Sequence, residues 1–221
     1  MPRLITPLFV WRPLPSALLL AAVAFFAAPT LAATMVGDSV DITLSSPADS
    51  ISATDAGVVV GAGQEVNPST AGSNIAPYLL TGATANEFLD LDAVNITLRL
   101  LSGATDGAGN AVTGYGAGAM YIFAGLDNGY DVIGVSGSST GINNFSSSWI
   151  SFSAHQVSFD IDAIHFNPAA SGTTFGDVTL TLDLKDTTPP PPPVPEPAGL
   201  AMVGLALVGL FAHCRAVGAR R

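Results

Sequence analysis

The sequence predicts an all-β body: an antiparallel two-sheet sandwich of immunoglobulin-like or jelly-roll type, flanked by an N-terminal signal helix and a C-terminal transmembrane helix. Three observations lead there. Four segments of the body alternate apolar and polar residues with the period of two that a half-buried strand requires. Clusters of Gly, Asp, Asn and Ser separate them, and no stretch of the body carries an amphipathic helical period.

In chain order, Arg3 and Arg12 precede an apolar run from Ala17 to Ala28, and Thr30-Leu31-Ala32 places small residues where signal peptidase reads them. Residues 1–32 are therefore expected to be a signal peptide cleaved after Ala32, with Ala33 the next choice. Twelve apolar residues are few for a retained span. No paired arginines mark the twin-arginine route, which leaves the general secretion machinery as the expected partner. The body, residues 33–186, is long enough for one domain with a sizeable core. Its alternating segments are Val40, Ile42, Leu44; Val94, Ile96, Leu98, Leu100; Val157, Phe159, Ile161; and Val178, Leu180, Leu182, Leu184. Less regular apolar stretches at Val58–Val60, Ala119–Leu126, Val132–Val135 and Trp149–Ala154 bring the expected number to about eight strands. Turns are expected at Asp106–Asn110, Asp127–Gly129 and Ser136–Ser139.

One heptapeptide has an echo. Asp90-Leu91-Asp92-Ala93-Val94-Asn95-Ile96 matches Asp160-Ile161-Asp162-Ala163-Ile164-His165-Phe166, and in both the alternation slips by one residue at the alanine. A slip of one turns every later side chain to the other face, so each copy is expected to be a bulged or sheet-switching strand.

Residues 187–194 form a proline-rich linker, whose polyproline geometry makes a stiff spacer of roughly 3.1 Å per residue. Behind it, residues 195–221 carry Pro195-Glu196-Pro197, an uncharged apolar stretch, and Arg215, Arg220 and Arg221. A helix over residues 198–214 would reach about 25 Å, a short span. Basic residues behind such a span stop transfer and hold the C-terminus inside, leaving the body outside. Gly199, Gly204 and Gly209 would weaken the same helix in water.

Pro-Glu-Pro, hydrophobic helix and basic end, in that order at the terminus, resemble the PEP-CTERM sorting signal of exported bacterial proteins. The resemblance covers residues 194–221. It implies that exosortase, a membrane-embedded cysteine transpeptidase, recognises Pro195, Glu196 and Pro197 and removes the tail near them. The basic end here is interrupted by Ala216, Val217, Gly218 and Ala219. In the body, Val58–Gly63, the Asp-rich strand and the Ile150–Phe166 block look like the β-rich ectodomains attached to such tails, which generally have no assigned activity.

Charge and cysteine bound the chemistry. From Thr34 to Asp186 there are 16 acidic residues against two basic ones, Arg99 and Lys185, a difference of 14 negative charges. Such a body repels phosphate backbones, which argues against nucleic acid as a partner, and anionic lipids as well. The single cysteine, Cys214, lies in the tail, so the body is built without disulfides. Only His155 and His165 lie outside the tail, and no Gly-x-Ser-x-Gly elbow, zinc-ligand pair or phosphate loop is present. No catalytic residues are assigned.

Two binding chemistries remain. Asp90 with Asp92 and Asp160 with Asp162 are expected to share strand faces, and Asp127 and Asp131 flank a turn, which makes these six candidate calcium ligands without an EF-hand loop. Tyr115, Tyr121, Tyr130 and Trp149, with Tyr78, could offer flat rings to sugars, although tyrosine and tryptophan more often pack. The expectation is thus an exported, non-enzymatic protein of the cell surface or exopolysaccharide matrix. A glycan-binding module is the alternative and a secreted hydrolase the third reading.

Overall fold

The computed structural model describes residues 33–167 and 174–188. The signal peptide and its Ala32 site, most of the linker, and the tail with Pro195, Glu196, Pro197, Arg215, Arg220 and Arg221 lie outside the described residues. The body is all-β, with two antiparallel sheets. The ten strands among the described residues are β1 (Ser39–Ser46), β2 (Ile51–Val59), β3 (Phe88–Leu91), β4 (Asn95–Thr105), β5 (Ala111–Thr113), β6 (Met120–Ala124), β7 (Tyr130–Thr140), β8 (Ile150–Ser153), β9 (Gln156–Asp160) and β10 (Phe175–Asp186). The first sheet runs β2-β1-β6-β9-β8. The second runs β3-β4-β10-β7, with β5 paired to β4. No helix among the described residues is long and apolar enough to cross a membrane.

Alternation set the inward faces. Val40, Ile42 and Leu44 of β1, Val157 and Phe159 of β9, Ile96, Leu98 and Leu100 of β4, and Val178, Leu180 and Leu182 of β10 join one hydrophobic core drawn from both sheets. Leu184, at the end of β10, is half-buried. Full burial of a Val, Leu, Ile or Phe side chain contributes about 1.5–3 kcal/mol, so these rows are the main favourable term for the body.

Two expectations are corrected, and one strand is longer than its apolar stretch. The Ser136–Ser139 segment is strand, paired with β10 from Ser136↔Thr181 to Ser139↔Val178. Its turn-like composition is a packing device: a Cβ on Gly137 would stand 2.6 Å from Phe145 Cζ and 2.7 Å from Ile150 Cδ1, so only glycine lets those side chains close over the strand. Neither echoed heptapeptide is a bulged strand, and only the second changes sheet, leaving β9 of the first sheet and bridging β5 through His165. Each is the end of a strand followed by a turn, at Asp92–Val94 and at Asp162–Ala163. Finally, most of β2 carries no unbroken alternation (Ser-Ala-Thr-Asp-Ala-Gly after Ile51). It forms by pairing with β1 across a hairpin closed by the Pro47–Asp49 turn and Ser50, whose φ of 59° is left-handed.

Candidate functional site

The aromatic residues offered as sugar platforms are mostly interior. Tyr121 and Tyr130 are buried, and Tyr115 is nearly so. Trp149 packs edge-on against Phe145, 6.1 Å between ring centroids, and leans on the core. Tyr115, Tyr121 and Tyr130 therefore cannot stack on a ligand, because their faces are already covered. Tyr78 is exposed, and its backbone carbonyl accepts a hydrogen bond from the Tyr115 hydroxyl at 3.2 Å.

The six acids are dispersed. Asp90 lies on β3, but Asp92 has left the strand and accepts hydrogen bonds from Val94 N and Asn95 N, closing its own turn. Asp160 ends β9, while Asp162 sits in the turn and accepts from Gly118 N at 2.7 Å. The expected shared strand faces are thus absent, because the chain turns where the alternation slips. Asp131 on β7 stands 3.9 Å from His155 Nε2, and Asp127 begins the Asp-Asn-Gly turn. No group of three or more His, Cys, Asp or Glu side chains among the described residues could hold a metal ion. Burial raises the carboxyls of Asp90 and Asp160, with the neighbouring Asp92 and Asp162 charges adding to it.

His165 Nε2 lies 3.6 Å from Asp106.

The buried acids are others. Glu87 is fully buried and accepts from Leu101 N (2.9 Å), Leu80 N (2.9 Å) and the Tyr115 hydroxyl (2.7 Å). Burial pushes its carboxyl upward, against the pull of those three donors. Asp38, 2% exposed, accepts from the Tyr130 hydroxyl and Asn128 Nδ2. A sequence signal existed for both. Glu87 extends the inward parity of Leu89 and Leu91, and Asp38 that of Val40, Ile42 and Leu44, each one step before its strand begins. These buried carboxylates tie loops to strand ends. A separate open groove of about 460 Å3 runs between β2 and the loop at Thr70–Asn74. Its acids are engaged: Asp55 accepts from Asn74 N and Ser73 Oγ, and Glu65 from Gly61 N and Leu91 N.

The most organised outward surface belongs to the second sheet, where register lines side chains into rows. Phe88, Arg99, Asp177 and Thr140 stand directly opposite one another across four strands. Asp90, Thr97, Thr179 and Ser138 form the next row, and Asn95, Thr181 and Ser136 the one after. Arg99 Nε and Nη2 donate to the two oxygens of Asp177 at 2.7 and 2.9 Å. Its guanidinium carbon lies 4.9 Å from the centroid of Phe88 and 4.7 Å from that of Phe175, which is 39% exposed. Arg99 is the one basic residue of the body so enclosed, and nothing in its local sequence distinguishes it from a solvated charge. The register that gives it Phe88, Asp177 and Phe175 joins segments 11 and 78 residues away, beyond the reach of any local pattern.

Comparison with protein-family models, with characterised proteins and with solved structures finds no match.

Proposed function

We propose that this chain is an exported, non-enzymatic protein of the bacterial cell surface or exopolysaccharide matrix, delivered by the general secretion machinery and sorted by exosortase through its C-terminal tail. One observation carries the reading: Pro195-Glu196-Pro197, the uncharged residues 198–214, and Arg215, Arg220 and Arg221 follow one another in that order at the terminus. The N-terminal residues, with Arg3, Arg12, the apolar run and the small-residue site ending at Ala32, support the same route. A body without cysteine, held by strand pairing and one core, suits either face of a redox boundary. The tail anchors the precursor until it is processed, and the proline linker holds the body clear of the bilayer.

The body itself is proposed to be a β-sandwich. The chain passes between sheets at β2→β3, β5→β6, β6→β7, β7→β8 and β9→β10. That is more often than the ABED/CFG immunoglobulin arrangement requires, which favours the jelly-roll alternative.

Intact mass spectrometry of protein released from cells tests the sorting reading. The expected species begins near Thr34 and ends close to Pro195. A released species that retains Met202 to Phe211 overturns it. Replacing Pro195 and Glu196 with alanine is expected to leave a membrane-anchored precursor.

A further inference from the structure

We infer that the outward face of the β3-β4-β10-β7 sheet is a binding platform for a neutral polysaccharide strand, centred on Phe88, Arg99 and Phe175. This deepens the matrix reading by giving the body a ligand class and a surface.

The register makes the platform. Directly paired residues of antiparallel strands project to the same side, and strands lie about 4.8 Å apart, so a four-strand row spans about 14 Å. Arg99 spends Nε and Nη2 on Asp177, and Nη1 donates to no described residue. Held by that fork and by two rings, its remaining N–H donors are fixed in direction at little further entropic cost. Phe175 leaves apolar ring surface in water beside it, and the adjoining row supplies the hydroxyls of Thr97, Thr179 and Ser138, which donate or accept.

A sugar ring presents the complement: an apolar C–H face bordered by hydroxyls. Charge selects among glycans. Asp177 cancels Arg99 locally while the body carries 14 excess negative charges, so an anionic polymer is repelled and a neutral one is not. The same excess opposes stacking of two copies through this face. A protein partner would want a buried apolar centre, and here two rings are surrounded by hydroxyls and carboxylates.

Affinity electrophoresis of the full chain in detergent provides the test, with a mannan, an α-glucan, a β-glucan and a galactan each cast in native gels and alginate as the anionic counterpart. At least one neutral polymer is expected to retard the chain, equally at low salt and in 0.5 M NaCl, and alginate is not. Phe175→Ala and Arg99→Lys are each expected to weaken retardation about tenfold. Phe152→Ala, which removes an exposed ring from β8 in the other sheet, is expected to leave it unchanged. Retardation by none of the four neutral polymers overturns the inference, as does equal loss in Phe152→Ala, binding to alginate as strong as to any neutral polymer, or loss in salt. A chain that is processed normally yet binds no polymer sinks the platform and leaves the sorting reading standing. A polymer-binding chain released with its tail intact does the reverse.

Discussion

The two copies of the Asp-x-Asp-Ala heptapeptide begin alike and end differently. In both, an apolar residue buried at the strand end (Leu91, Ile161) is followed by an aspartate that turns the chain. The first turn is closed by its own aspartate, although Ala93 O also accepts from Met35 N and Val94 O from Leu182 N. Asp92 N donates to Asn95 O at 2.9 Å, the Asp92 carboxylate accepts from Val94 N and Asn95 N, and the chain returns as β4 beside β3. In the second copy only Asp162 N, among the described residues, bonds locally, to Asp160 Oδ1, and the aspartate that turns the chain is itself partnered from a distant loop. Ile161 O accepts from the Thr113 hydroxyl, Asp162 from Gly118 N, and Ala163 O from Asn144 Nδ2. His165 and Phe166 then make only single bridges, to Val112 and Ile142. The shared Asp-x-Asp-Ala specifies the turn; the neighbours decide whether a hairpin or a plug follows.

The largest effects should come from apolar side chains that each copy buries. Phe166→Ala in the second copy is expected to cost about 3–5 kcal/mol, and Leu91→Ala in the first about 2–5 kcal/mol, read from urea unfolding. A loss under about 1 kcal/mol at Phe166 would mean that the second copy is a loose loop and not part of the core.

Next comes Glu87, which fastens the strand leading into the first copy. Glu87→Gln would put an amide N–H against Leu80 N or Leu101 N, and is expected to destabilise by about 1–3 kcal/mol. The pH dependence follows from burial. A carboxyl raised above its ordinary 4.5 favours folding when protonated, so its contribution is full below that value and falls as pH rises through the folded pKa. The stability difference between wild type and Glu87→Gln should therefore narrow as pH rises above about 4.5. A widening gap would show that the three donors outweigh burial.

The smallest effects separate the turns themselves. Asp92→Ala removes a local turn closure and is expected to cost about 1 kcal/mol, with the largest rise in amide exchange at Val94 and Asn95 and in the adjoining ends of β3 and β4. Asp162→Ala is expected to cost no more, but its faster exchange should appear at Gly118 and its neighbours, 44 residues away in sequence. Exchange confined to each copy's own strands in both variants would erase the contrast. In the second sheet, Gly137→Ala should cost about 1–3 kcal/mol by crowding Phe145 and Ile150, whereas a true turn at Ser136–Ser139 would tolerate it.

The sequence by itself determined the all-β class, the inward rows of β1, β4, β9 and β10, and the turns at Asp106–Asn110 and Asp127–Gly129, because period-two alternation and turn chemistry act between near neighbours. It also held the parity that buries Glu87 and Asp38, each one residue before its strand. Tertiary structure alone decided that a Ser-Gly run is strand β7, that two like heptapeptides diverge, that Tyr115, Tyr121 and Tyr130 point inward, and that Arg99 meets Phe88, Asp177 and Phe175. Each of those outcomes depends on which distant strand lies alongside and in what register, and pairing free energy is gained only when the two segments meet.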